Sequence, residues 1–207
     1  MYHSGMRMIL ASASPRRAVL LREAGFVFDV VPPDVDESIL TGESPEQYVR
    51  RVAALKARAV LARHPDAHVV AADTTVVVDG EMLGKPADDE DARRMLARLS
   101  GRDHQVLTGV VVAGAGRESG TVVSTRVHFT ALTAAEIDWY VASGEPRDKA
   151  GAYGVQGLAA RFVETVDGSY SNVVGLPVDE VRQLLKAEGL AAPAAPVSGG
   201  QDGARLD

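Results

Sequence analysis

Between Val69 and Pro86 the chain reads Val-Val-Ala-Ala-Asp-Thr-Thr-Val-Val-Val-Asp-Gly-Glu-Met-Leu-Gly-Lys-Pro, an apolar run with an acid set into it and a turn dipeptide behind it. Val69 to Ala72 has the character of a buried strand, and Val76 to Val78 resumes it. Asp73 is therefore expected where strand becomes loop. Asp79-Gly80 suits a two-residue hairpin turn, whose central positions both want φ > 0. The chain should double back through Met82 and Leu83 and return Gly84-Lys85-Pro86 toward Asp73. A carboxylate and an ammonium held together at the mouth of a sheet suggest a site for metal and phosphate.

Any polyanionic ligand must be met here by local cations, because the formal charge of the 207 residues is −6. That balance argues against a surface built for duplex nucleic acid or an anionic membrane. Of the 22 basic residues only Lys56, Lys85, Lys149 and Lys186 are lysines, so arginine is the default cation. Where such a chain places lysine, a compact point charge for phosphate is one reading and a solvated surface residue the other. Zero cysteines exclude a disulfide frame, a thiolate metal site and a cysteine nucleophile, which fits a cytoplasmic protein. No apolar run approaches the roughly 20 residues of a membrane span.

Taken in order, Met8 to Ala11 reads as a first strand. Ser12-Ala-Ser14-Pro15-Arg16-Arg17 then opens a helix that Gly25 stops. With two arginines at its start, this is either an anion site or a plainly capped helix. Phe26 to Val31 is a second strand, followed by Asp34, Asp36 and Glu37 in a loop, candidate ligands for a hard divalent cation. Ser44-Pro-Glu-Gln47 is a capping box opening a helix to about Arg63. Lys56 lies on its inward stripe with Val49, Val52, Ala53 and Val60, where it either snorkels to solvent or points at an anion.

Asp88 caps a further helix, and Val106 to Ala113 and Thr121 to Thr130 read as strands. Thr133-Ala-Ala-Glu136 is a second capping box. The segment from Gly144 to Gly157 is too glycine-rich for a regular element and reads as an ordered loop against a ligand. Phe162 to Val166, Asp167-Gly168 and Asn172 to Gly175 suggest another hairpin, and a last helix runs from Val178 to about Glu188. The domain so defined spans residues 8–190, with an N-terminal extension of residues 1–7 and a tail of residues 191–207 expected to be disordered. None of the five histidines has the spacing of a metal site.

Five cations stand in informative positions (Arg16, Arg17, Lys56, Lys85, Lys149) beside acids at Glu37, Asp73 and Asp148. Polyphosphate chemistry needs that combination: cations for the leaving group and a carboxylate to take a proton. A Walker A sequence is absent, which argues against a P-loop kinase or ATPase.

The motifs Ser12-Ala-Ser-Pro-Arg-Arg17, Ala71-Ala-Asp-Thr74, Gly84-Lys-Pro86, Ser100-Gly-Arg, Gly144-Glu-Pro, Asp148-Lys-Ala-Gly-Ala-Tyr-Gly-Val-Gln-Gly157 and Gly168-Ser-Tyr-Ser-Asn-Val-Val-Gly-Leu-Pro177 closely resemble the Maf family of nucleoside triphosphate pyrophosphatases. The resemblance covers about Met8 to Leu190. It implies an α/β fold, a mixed twisted sheet flanked by helices with two lobes around a deep cleft, similar to inosine triphosphate pyrophosphatases and often a homodimer. It also implies cleavage, dependent on Mg²⁺ or Mn²⁺, of a nucleoside triphosphate to monophosphate and pyrophosphate by metal-activated water at the α-phosphate. Carried over, Asp73 is the general base, Glu37 and Asp73 the metal acids, and Arg16, Lys56 and Lys85 the phosphate holders, with Ser12 and Arg17 beside them. Arg16, Thr74 and Gln156 resemble the branch acting on dTTP, UTP and modified pyrimidine nucleotides. The alternative is a nucleotide-binding regulator of cell division with little turnover.

Overall fold

The computed structural model describes residues 7–190. Residues 1–6 of the expected extension, and the tail from Ala191 expected to be disordered, lie outside the described residues.

Strand β1 (Arg7–Ala11) leads into helix α1 (Pro15–Glu23), with Ser14 at its N-cap and Pro15 in the first turn. Ser12 supports this start, its Oγ accepting from the Ser14 amide at 3.1 Å. Strand β2 (Asp29–Val30) is shorter than the Phe26 to Val31 expected, because Phe26 turns into the core under α1 and Pro32-Pro33 offer no amide to continue the ladder. Helix α2 (Pro45–Leu61) begins with the expected capping box: the Gln47 amide donates to Ser44 Oγ at 3.3 Å and the Ser44 amide to Gln47 Oε1 at 2.9 Å. Strand β3 (Ala67–Val78) turns through Asp79 (φ 53°) and Gly80 (φ 75°) into β4 (Glu81–Leu83), the positive-φ pair expected of Asp-Gly. Helix α3 (Asp89–Leu99) is capped by Asp88, and strands β5 (Asp103–Gly114) and β6 (Arg117–Phe129) form a long hairpin. Helix α4 (Ala134–Ala142) starts at the Thr133 capping box, and three short 3₁₀ turns between Glu145 and Phe162 order the glycine-rich segment. Strand β7 (Val163–Asp167), helix α5 (Tyr170–Val174) and helix α6 (Val178–Ala187) follow.

The seven strands form one mixed sheet in the order β2-β1-β3-β5-β6-β7, with β4 beside the far half of β3. The β1 contacts are parallel and the rest antiparallel, which makes the sheet mixed, as the resemblance implied. Helix α2 covers one face, its Ala53, Ala54 and Ala57 packing on Val69, Ala71 and Val111. The approach is close: a Cβ on Gly109 of β5 would lie 2.4 Å from the Val49 carbonyl oxygen. The other face carries two separate cores. One joins α1 and α6 to Leu10, Val70 and Val112; the other joins α3 and α4 to Val76, Val106 and Phe129. These are the two lobes.

Two further expectations are corrected. Asp73 does not end a strand; β3 continues for 12 residues through it, because β5 pairs with β3 without a break from Val69 to Val77 and threonine suits a strand. The expected hairpin after Asp167 is instead helix α5. Ser169 caps it, and the Asn172 side chain donates from Nδ2 to the Val106 carbonyl at 2.9 Å and to Thr125 Oγ1 at 3.0 Å, pinning the helix to β5 and β6. Among the described residues no helix is long and apolar enough to cross a membrane.

Candidate active site

The outer edge of β3 is shared between two partners: β1 pairs along Ala67–Ala71 and β4 along Val76–Val78. From Ala72 to Thr75 that edge has no strand beside it, and a cleft of ≈ 640 Å³ opens there between the lobes. Asp73 therefore reaches it from the middle of a strand whose other edge is hydrogen-bonded to β5, a rigid mount.

Asp73 shares the α2 face of β3, since alternate residues of a strand share a face. Lys56 of α2 meets it with Nζ 2.7 Å from Oδ1 and 3.0 Å from Glu37 Oε1. The Lys56 and Asp73 side chains are each only 7% exposed, so this lysine does not snorkel; it is a buried ammonium between two carboxylates. Asp73 Oδ2 is buried and has no hydrogen-bond partner. The loop carrying Glu37 is tied to α2, where Tyr48 donates its hydroxyl to the Glu37 carbonyl at 3.1 Å and Arg51 donates to the Ser38 carbonyl at 2.8 Å. Burial first, then the charges of Asp73 and Glu37, push the Tyr48 phenol up to about 12, so it stays a donor.

On the other side of the gap, Arg17 donates from Nε to the Gly175 carbonyl at 2.8 Å, from Nη2 to Thr74 Oγ1 at 3.0 Å and from Nη1 to Ser12 Oγ at 3.4 Å. Thr74 and Thr108 hydroxyls lie 2.9 Å apart. Arg17 thus meets neutral oxygens, and burial pulls its guanidinium below the ordinary arginine range despite the carboxylates of Asp73 and Glu37 nearby. Arg16 crosses the cleft mouth to Asp148 at 3.1 Å. Lys85 is exposed and has no ion-pair partner among the described residues, and Gln156 is likewise exposed on the 3₁₀ segment. The cleft collects most residues singled out from the sequence: Ser12, Arg16, Arg17, Glu37, Lys56, Asp73, Thr74, Lys85, Asp148, Lys149 and Gln156 all line it, whereas the loop acids Asp34 and Asp36 do not, and Asp36 instead accepts from the Ser38 amide at 2.9 Å.

Two carboxylates and an unpartnered carboxylate oxygen fit a hard cation that takes one or two protein acids and completes its shell with phosphate oxygens and water. Among the described residues there is no cluster of three or more acids, histidines or cysteines that would form a full protein cage.

The family described as Maf-like protein matches residues 7–188. The chain belongs to the Maf-like family. It is 56% identical over 191 residues to a protein of Anaeromyxobacter dehalogenans (strain 2CP-C) named dTTP/UTP pyrophosphatase, covering 90% of this chain and 96% of that one. A protein of Shewanella oneidensis with the same name is 52% identical over 193 residues, covering 89% and 100%. The solved structure of a HAM1 protein from Coxiella burnetii shares the fold, with TM-score 0.53 at 14% identity over 88% of this chain and 100% of that one.

Among the lining residues of this Maf-like chain, Tyr48, Glu145 and Tyr153 had no role assigned from the sequence, although Glu145 and Tyr153 lie inside its motifs. Tyr48 had a signal, lying four and eight residues before Val52 and Lys56 on one helical stripe. Tyr153 is fixed from behind by His104, whose Nε2 sits 2.7 Å from the Tyr153 hydroxyl and whose ring meets Phe129 edge-on at 4.9 Å.

Burial holds His104 down to about 4 from its ordinary 6.5. The folded state keeps the ring neutral while the unfolded chain takes a proton near pH 6.5, so its contribution to stability is complete above that pH. It declines as pH falls from 6.5 toward about 4, by up to roughly 1.4 kcal/mol per pH unit. Denaturant unfolding of the wild type and of His104→Gln, at several pH values through this window, should show a steeper acid loss in the wild type. Equal slopes would remove His104 from that role.

Proposed function

We propose that this chain hydrolyses dTTP and UTP, with modified pyrimidine nucleotides as further substrates, to the monophosphate and pyrophosphate. The observation that carries the reading is the buried, unpartnered Oδ2 of Asp73, a residue held by Lys56 through Oδ1 and lining a cleft ringed by cations. An ionised carboxylate oxygen that no protein donor occupies is free to accept a proton from water. The Lys56 ammonium on Oδ1 holds Asp73 in one orientation. The water oxygen attacks the α-phosphorus, its proton passes to Asp73 Oδ2, and the bond from the α-phosphorus to the bridging oxygen breaks to release pyrophosphate.

Arg16, at the mouth, and Lys85, without an ion pair among the described residues, supply charge to the triphosphate. Thr74 and Gln156 face the nucleoside, and the Gln156 amide, both donor and acceptor, can read a pyrimidine edge. Mg²⁺ or Mn²⁺, held by Asp73 and Glu37, would offset charge on the phosphate oxygens and make water more acidic. A regulator that binds nucleotide with little turnover is not favoured, since relatives of this similarity carry an enzyme's name.

The test is release of pyrophosphate and monophosphate from a panel of nucleoside triphosphates, with and without Mg²⁺ or Mn²⁺. Metal-dependent pyrophosphate from dTTP and UTP is the expected result; orthophosphate and diphosphate would place attack elsewhere, and no turnover would overturn the reading. Lys85→Ala should raise KM about tenfold, the equivalent of one charge-assisted hydrogen bond. Unchanged kinetics would exclude it from the site.

A further inference from the structure

The turn that presents Gln156 is built on one side chain. Gln156 lies between Gly154 and Gly157, closed by the Gly157 amide donating to the Gly154 carbonyl at 3.1 Å. Under that turn sits the carboxylate of Glu145, in the first 3₁₀ turn after α4. Its Oε2 accepts from the Leu158 amide at 2.9 Å, and its Oε1 accepts from the Tyr140 hydroxyl at 2.9 Å. That hydroxyl in turn accepts from the Gly154 amide at 3.3 Å. Both flanks of the turn are thus tied, directly or through Tyr140, to the Glu145 carboxylate. Contact is tight enough that a Cβ on Gly157 would lie 2.3 Å from Glu145 Oε1, and one on Gly154 2.7 Å from Lys149 Cε.

The support beneath is equally fixed. Lys149 donates to the Glu145 carbonyl and to Asp148, which reaches Arg16 across the cleft. Tyr140 has no solvent exposure, and its phenol is pushed above the ordinary tyrosine range by burial and then by Glu145, so it remains a donor. Glu145 lines the cleft, but both carboxylate oxygens are committed to the turn.

We propose that Glu145 is a positioning residue for base selection, setting the turn that aims Gln156 at the nucleobase. The inference rests on the pyrophosphatase reading above and adds to it a residue that acts on selectivity and leaves the chemistry at Asp73 alone.

Glu145→Ala strips the turn of its seat. KM for dTTP and UTP should rise about tenfold, the cost of one misplaced base-edge hydrogen bond. With Asp73 untouched, kcat should stay within about twofold. The preference for dTTP over dCTP, measured as a ratio of kcat/KM, should shrink by the same factor, whereas a merely unfolded fraction would lower both alike. Glu145→Gln keeps an acceptor for Leu158 but sets an N–H against the Tyr140 hydroxyl, which donates to Glu145 in the wild type, so it should restore the ratio only in part. Should Glu145→Ala fail to fold, Gly157→Ala displaces the carboxylate from the opposite side and should narrow the same ratio in an otherwise intact protein. On a Gln156→Ala background, Glu145→Ala should add almost nothing, because both act through one contact. An unchanged dTTP/dCTP ratio in Glu145→Ala or Gly157→Ala, or penalties that multiply in the double variant, would overturn the proposal. Failure of the wild type to cleave dTTP would instead sink the reading beneath it.

Discussion

Asp73→Asn should lower pyrophosphate release from dTTP by about 10³-fold, within the span expected when a general base is removed. Asparagine has the same shape, and its carbonyl oxygen still accepts from Lys56, which also keeps Glu37 at 3.0 Å. What disappears is the ionised Oδ2, among the described residues the one acid oxygen in the cleft that is buried without a partner. The amide put in its place offers N–H groups and cannot take a proton from water. Since Asp73 stands mid-strand with unbroken pairing to β5 around it, the backbone is expected to hold. Thermal unfolding close to wild type, retained dTTP binding and collapsed turnover form the expected pattern. Near-wild-type turnover in the folded variant would take Asp73 out of its role.

The sequence carried local chemistry well and long-range partnerships poorly. The Asp79-Gly80 turn, the capping boxes at Ser44 and Thr133, and the inward stripe with Lys56 on it were legible because each depends on residues within one turn of each other. So were the acids and cations of the cleft, through motifs that keep their residue types. The middle of β3 was not legible: Asp-Thr-Thr reads as an interruption until β5 is known to pair across it. Helix α5 was misread because its anchor, the Asn172 side-chain Nδ2, finds its acceptor 66 residues away at Val106. Arg17 reads from sequence as a phosphate cation, yet its nearest acceptor is the Gly175 carbonyl, 158 residues on, and its other donors go to Thr74 and Ser12. In the structure it clasps α1 to β3 and to the end of α5. No periodicity announces Glu145, which stands on a 3₁₀ turn behind a glycine.

Lys56→Met should destabilise the fold by about 3–5 kcal/mol and remove activity with it. An exposed lysine lost from an ion pair costs about 0–1 kcal/mol, because water takes over the abandoned carboxylate. Here water has little access: the Lys56 and Asp73 side chains are each 7% exposed, and α2 is held tightly to the sheet by its alanines and by Gly109 of β5. Methionine fills the volume but leaves Asp73 and Glu37 facing each other without a cation between them. The penalty thus comes from an uncompensated buried charge and not from a cavity, which a second substitution can separate. Lys56→Met/Asp73→Asn removes that charge and should recover most of the lost stability in denaturant unfolding while remaining inactive. If the double variant is no more stable than Lys56→Met alone, the ion pair is not the source of the loss, and packing of the lysine stem against α2 and β3 must be. Recovery of the fold without recovery of turnover would show that the ammonium has two separable tasks. One is to offset the burial of a carboxylate that the chemistry needs ionised; the other is to hold that carboxylate by Oδ1 in one orientation, with Oδ2 left without a protein donor.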